Sequence, residues 1–334
     1  MRAIPTGLVG LLTVVTAVGT RRYVAFRPAL KDLAPEFRSL WLLLVPHTVT
    51  PRTLGMRRLA MQLPTPAGRG VQVSRRVVGG ANGMTVEVIS PTPASDVLRP
   101  ALLYIHGGGF IEGSPQSERR MAADLARGVD AVVVSPNYRL APENPFPAGL
   151  DDCMAALRYM RAHAAGLGID ADRIAVMGAS AGGGLAGSVA QRCYDEGIPL
   201  RAQALKYPMI DDRTTLRDCG RRGRFIWTPA ANALGWSAYL GRPPRMEDAP
   251  EYAAPARRQD LTGLPPAWVG VGDLDLFFEE DVDYARRLTV ADVDCEVVTV
   301  AGMYHGGEHF AGRSSVAQAL RNSLIAFLRS HLTK

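Results

Sequence analysis

From Met84 onward, apolar positions along the chain fall into short β-branched runs separated by longer amphipathic stretches. Residues 86–89, 101–105, 131–135, 173–177, 202–207, 267–272 and 295–300 carry the strand pattern. Between them, 118–127, 148–164, 182–196, 278–290 and 314–332 repeat at the helical period. Strand and helix alternating on this scale predict a mostly parallel central sheet covered by helices on both faces. Residues 211–255 interrupt the alternation. They carry Phe225, Trp227, Trp236, Tyr239 and Tyr252, have no strand pattern and separate two sheet strands, so a helical insertion over the carboxyl ends of the strands is expected there.

Before Met84 the pattern differs. Eighteen uncharged residues lie between Arg2 and Arg21, ten of them aliphatic but with four Thr, three Gly and Pro5 among them. A second apolar block, Leu40 to Val45, follows a stretch carrying Arg27, Lys31 and Arg38. Three readings remain open for this leader: helices packed over the body's own pocket, with or without contact to a bilayer surface; an inserted anchor; or a secretory signal cleaved after Ala17-Val18-Gly19. The first is expected, which places the protein in the cytoplasm, with membrane association, secretion and an anchor left open. Residues 1–80 are thus read as a basic, apolar segment of cap helices, and 81–334 as one body with its insertion at about 211–255.

Charge sharpens that division. The 334 residues carry a net charge of +6. Up to Gly80 there are twelve basic residues against two acidic ones, a surplus of +10, whereas the remainder holds 26 against 30. Such a surplus would suit nucleic acid or an anionic bilayer; with a complete body accounted for from Met84, nucleic acid is not expected and the bilayer is. A composition of 47% apolar and 21% charged residues excludes a disordered chain or a disulfide miniprotein. Cys153, Cys193, Cys219 and Cys295 form no C-x-x-C pair, so free thiols are expected rather than a zinc site or a disulfide framework.

The chemistry concentrates at three places. Gly178-Ala179-Ser180-Ala181-Gly182 follows the apolar run 174–177 and precedes a helix rich in small residues, the strand-turn-helix setting in which G-x-S-x-G lifts a serine clear of a sheet. Glycines flank it because side chains there would clash in so tight a turn, and the helix start favours developing negative charge. His106-Gly107-Gly108-Gly109-Phe110 follows the run 101–105 directly. Three consecutive glycines cost chain entropy, and a reason for them is that backbone amides approach a reacting carbonyl only where no side chain intervenes. Gly108 and Gly109, with the amide of Ala181, are the expected donors to a tetrahedral oxyanion. The loop lacks the lysine and spacing of a phosphate cradle.

In this order of elements the acid and then the base follow the serine. His47, His106 and His163 precede Ser180, and His331 lies near the end of the last helix, leaving His305 and His309. His305, in the loop after 295–300, is favoured. The acid lies just beyond 267–272; Asp275 is preferred because it precedes the helix at 278, and Asp273 is its main competitor. His305-Gly306-Gly307-Glu308-His309 also matches the H-x-x-E-H zinc motif, but two adjacent glycines, each costing about 1 kcal/mol, oppose the helix that metal chemistry needs.

Taken together, His106 to Phe110, Tyr138-Arg139-Leu140-Ala141-Pro142-Glu143, Gly178 to Gly183, Leu274-Asp275-Leu276-Phe277 and Tyr304-His305-Gly306 resemble the hormone-sensitive-lipase-like esterases of the α/β-hydrolase superfamily. The resemblance runs from about Met84 to the carboxyl terminus. It implies an α/β-hydrolase fold with a helical cap, Ser180 as nucleophile, Asp275 rather than Asp273 as acid, His305 as base, and Tyr138 to Glu143 as a scaffold turn beneath the site. Two features depart from the family: Ala179 stands where many members have an acidic residue, and the amino-terminal segment is longer and more apolar. The implied activity is hydrolysis of short- to medium-chain carboxylic esters without metal or organic cofactor. Amide hydrolysis or acyl transfer on the same triad is the alternative, followed by a non-catalytic receptor; the physiological ester and the oligomeric state are not legible.

Overall fold

An eight-stranded sheet forms the frame, in the order β1-β2-β4-β3-β5-β6-β7-β8. Its strands are β1 (Val71–Val78), β2 (Met84–Pro91), β3 (Arg99–Ile105), β4 (Val132–Pro136), β5 (Ile169–Ala179), β6 (Gln203–Lys206), β7 (Ala267–Gly272) and β8 (Cys295–Val300). β2 runs opposite to the other seven strands and so pairs antiparallel with β1 and β4; from β4 through β8 every pairing is parallel. The computed structural model describes residues 27–39, 42, 49–79, 83–95 and 97–333.

Seven strands lie where the β-branched runs place them. The eighth, β1, lies inside the basic amino-terminal segment, where no strand is expected. Arg75 and Arg76 sit in its middle and mask the alternation. Charged side chains of this kind suit an edge strand, because they discourage pairing with another chain.

The longer helices are α1 (Pro51–Ala60), α2 (Pro115–Val129), α3 (Ala148–Ala162), α4 (Ala181–Asp195), α5 (Pro229–Leu240), α6 (Phe278–Val290) and α7 (Ser315–Leu332). All but α1 and α5 cover the two faces of the sheet. Ala122, Leu125, Leu320, Leu324 and Leu328 of α2 and α7 join Leu102, Tyr104, Val133 and Met177 in one core layer. On the opposite face α3, α4 and α6 contribute Leu150, Leu157, Leu185, Val189, Tyr284 and Leu288 to a second layer with Leu103, Val134, Val176 and Val269. The strands between these layers are buried on both sides, which is why they read as continuous apolar runs.

The segment between β6 and β7 holds α5 and short 3-10 turns and no strand, as the aromatic interruption predicts. Of the leader, residues 27–39 pack on the body: Phe37 meets Tyr304 edge-on at 6.5 Å, and Ala34 N donates to Gly302 O at 3.3 Å. The 18-residue apolar stretch and nearly all of the block at 40–45 lie outside the described residues. Among the described residues, no helix is long and apolar enough to cross a membrane. All four cysteines are free, Cys153 and Cys193 buried and the other two partly so.

Candidate active site

Strand β5 ends near the middle of the sheet and turns into α4 at Ser180, whose φ of 57° and ψ of −124° lie in a region that non-glycine residues seldom occupy. The flanking glycines make this turn sterically possible. A Cβ at Gly178 would fall 2.0 Å from Gly182 O, and one at Gly182 would fall 2.1 Å from Ile105 O. Ala181 is the first residue of α4, so its amide has no acceptor within the helix. Ala179 is packed against Tyr207 and Val271.

β3 pairs with β5 in a register that sets Ile105 opposite Gly178, so the glycine loop leaves the sheet beside the serine turn. Gly108 and Gly109 have φ of 120° and 59°, and a Cβ at Gly108 would fall 2.0 Å from Glu112 O. Neither amide has a protein acceptor among the described residues. The Gly107 amide is occupied, donating at 3.0 Å to Glu118 Oε1, while Tyr104 donates its hydroxyl to Glu118 Oε2. Glu118 thus ties the loop to the first turn of α2, a role its position in the sequence does not reveal.

His106 is buried under the same loop, its ring stacked on Tyr138 at 4.2 Å. Burial pushes its imidazole below the ordinary value, so the ring is neutral. Nδ1 lies 2.8 Å from Gly107 O and therefore carries the hydrogen. Tyr138 donates to His106 O at 3.0 Å, and Ala141 N to Phe110 O at 3.0 Å, which places the Tyr138 to Glu143 turn beneath the loop. Helix α1 clamps both: Arg57 pairs with buried Glu112, and Arg58 donates to Ile111 O and Ala141 O.

The loops after β7 and β8 bring the remaining pair. His305 Nε2 lies 3.0 Å from Ser180 Oγ and its Nδ1 2.9 Å from Asp275 Oδ2. Asp275 is fully buried, and its other oxygen accepts from Phe277 N at 3.0 Å. Tyr207 and Phe277 meet the imidazole edge-on at 4.7 and 5.2 Å, and Trp227 stands 6.4 Å away. Asp273 instead accepts from Gly302 N at 2.6 Å, tying the ends of β7 and β8 together. His309 is half-exposed and lies 3.4 Å from the Tyr207 hydroxyl.

The arrangement disposes of the zinc motif. Gly306, with φ of 67°, separates His305 from the short helix Gly307–Phe310, so His305 and His309 do not share one helical face. Glu308 is taken by Lys206 Nζ at 2.8 Å and the Tyr207 hydroxyl at 2.6 Å. Burial opposes its charge, yet Lys206 and His309 hold its carboxyl below the ordinary range. No cluster able to hold a metal occurs among the described residues.

A hydrogen-bonded Ser-His-Asp set recurs on unrelated folds and does not by itself name a family, but a sequence model of the alpha/beta hydrolase fold matches residues 102–309. The chain belongs to this family. Within it, the chain falls among the hormone-sensitive-lipase-like members that its motifs resemble. It is similar to carboxylesterase NlhH of Mycobacterium tuberculosis, 37% identical over 280 residues that cover 78% of this chain and 83% of that one. Esterase LipI of the same organism is 34% identical over 240 residues, 72% of this chain and 75% of its own. Among solved structures, a bacterial heroin esterase superposes with a TM-score of 0.82 at 33% identity, covering 91% of this chain and 99% of that one.

Proposed function

We propose that this protein is a serine carboxylesterase that hydrolyses short- to medium-chain acyl esters through an acyl-enzyme. The observation that carries the reading is His305, which bridges Ser180 Oγ and Asp275 at hydrogen-bond distance on both ring nitrogens. Ser180 attacks the ester carbonyl while Nε2 of His305 takes its proton, and Asp275 holds the ring so that Nδ1 keeps its hydrogen. The tetrahedral oxyanion sits against the amides of Gly108, Gly109 and Ala181, and the proton on His305 then passes to the leaving alcohol. Water, activated by the same imidazole, releases the acid. Each step uses groups of the chain itself.

The aromatic walls support a substrate of limited size. Trp227 leans over Gly109 and faces His305, so the acyl ester meets a ring rather than open solvent. The esterases among the relatives agree in reaction class. We also infer peripheral contact with an anionic bilayer. Met56 and Leu59 stand exposed on one face of α1 with Arg52, at helical spacing, in the segment that carries the surplus of +10. Replacing Met56 and Leu59 together by Asp should then reduce sedimentation with anionic vesicles.

The decisive measurement is hydrolysis of p-nitrophenyl butyrate by the Ser180→Ala variant, with fluorophosphonate labelling of the parent. Loss of turnover together with labelling at Ser180 is expected. Turnover at the parent rate in the variant would sink the assignment, and a scan of amide substrates and acyl acceptors would show whether another acyl transfer exceeds ester hydrolysis.

A further inference from the structure

Of the H-x-x-E-H motif the triad uses His305 alone, and of the two remaining motif side chains Glu308 is the buried one. It lies three positions beyond His305, buried, and its Oε1 receives both the Lys206 ammonium and the Tyr207 hydroxyl, while Oε2 has no partner among the described residues. Lys206 is equally buried. Two opposite charges taken out of water cost desolvation on both sides, and an apolar pair of the same volume is often as stable or more so, so stability alone does not account for this one. Its position does. The Lys206 carbonyl accepts the Ser180 amide at 2.9 Å, its ammonium stands 5.1 Å from the centre of the Tyr207 ring, and that ring meets His305 edge-on at 4.7 Å.

We propose that Glu308 and Lys206, acting through Tyr207, pull the basicity of His305 in opposite directions and hold each other in balance there. Resting on the assignment of His305 as general base, this gives each charge a purpose. When the Ser180 Oγ–H bond breaks and its proton joins Nε2, the ring becomes an imidazolium until the leaving alcohol takes the proton. Glu308 stabilises that cation. Lys206 offsets the carboxylate's field beforehand, so that the ring is still neutral, and able to accept, when the ester arrives.

The other groups around the ring are Asp275 on Nδ1, Ser180 on Nε2 and the rings of Phe277 and Trp227. Behind Tyr207 lies the Tyr104–Glu118 hydrogen bond, and His309 Nε2 stands 3.6 Å from Glu308 Oε1. His309 is the member of this set that is open to solvent, so the test includes a background that lacks it.

The test is the pH dependence of kcat/KM for p-nitrophenyl butyrate in Glu308→Gln, Lys206→Met and the double variant. Removing the carboxylate should lower the apparent pKa of the acid limb by about one unit, and removing the ammonium should raise it by a similar amount. The double variant, with the parent's charge sum, should return to within a few tenths of the parent. A merely structural role would reduce activity without opposite shifts. An unmoved acid limb in Glu308→Gln, or single variants that shift the same way, would overturn the proposal. Should Lys206→Met lose its cooperative melting transition, Glu308→Gln decides alone, since its downward shift is required in any case. The shift must also persist in a His309→Gln background, and its disappearance there counts against the pair. Failure of the triad itself reads differently: activity would then survive Ser180→Ala, whereas here the variants stay dependent on Ser180.

Discussion

Trp227 lies against Gly109 so closely that a Cβ at position 109 would fall 2.0 Å from Cη2 of the indole. The insertion between β6 and β7 is therefore fitted to the bare backbone of the oxyanion loop, and the glycine serves two purposes at once. It holds a φ of 59° and leaves room for the ring. Gly109→Ala should lower kcat by roughly 100- to 1,000-fold, the range expected when one oxyanion donor is displaced, with a smaller change in KM. Steady-state kinetics on one ester decide this. Parent-like kcat would mean that the Gly109 amide is not a donor.

Opening the same contact from the other side changes selectivity instead. Trp227 donates its indole N–H to Asn232 Oδ1 at 3.3 Å, so the ring is held in place over the site. Trp227→Ala removes the wall beside Gly109 and His305 and should raise the ratio of kcat/KM for p-nitrophenyl octanoate over the acetate by about tenfold, the scale of one to two methylenes in an apolar pocket. An unchanged ratio would place the size limit elsewhere in the cap.

Asp275 makes its contribution by orientation. With both oxygens engaged, by His305 Nδ1 and by Phe277 N, it fixes the tautomer that leaves Nε2 free to accept. Asp275→Asn should leave the fold intact and reduce kcat about 10³- to 10⁴-fold. The same change at Asp273 should instead act on thermal stability, because that carboxylate ties Gly302 to the end of β7.

Much of this was readable because the chemistry is local in sequence. Gly178 to Gly182 and His106 to Phe110 are continuous segments whose glycines answer to nearby backbone, and the spacing of strand and helix around them identifies the context. The helix predicted at 278–290 matches α6 residue for residue. What escaped depends on contacts between distant segments. Strand β1 carries Arg75 and Arg76 where an alternation should be, and it is recruited by pairing with β2. Glu118 looks like any acid in the first turn of a helix until Gly107 and Tyr104 are brought to it. Lys206 sits in an apolar strand, where only a partner from the loop after β8 accounts for it.

The clamp between α1 and the oxyanion loop gives a stability prediction. Glu112 is almost wholly buried, and Arg57 is its charge partner through two hydrogen bonds. Arg57→Ala strands that carboxylate and should destabilise the protein by about 2 to 3 kcal/mol, somewhat less than a fully buried pair because the arginine is partly open to solvent. Arg57→Ala with Glu112→Ala should recover part of the loss. A double variant no more stable than the single, by urea denaturation, would show that the buried charge is not the cause.

Asp281 offers the complementary case, a buried acid that the fold tolerates at a cost. It is fully buried in α6, and neither carboxyl oxygen has a hydrogen-bond partner among the described residues. Burial, with Glu280 and Asp275 nearby, pushes its pKa well above the ordinary value. For an acid raised in the folded state, the stabilising contribution is fully present below the unfolded value of about 3.9 and is lost as pH rises through the folded value. Asp281→Asn abolishes that dependence, so its melting temperature should exceed the parent's by an amount that grows from pH 5 to pH 8. The comparison is a difference between two chains that both keep Glu280 and Asp275, which largely removes their own titration from the result. An advantage that shrank with rising pH would mean that Asp281 is ionised and paired in the folded protein.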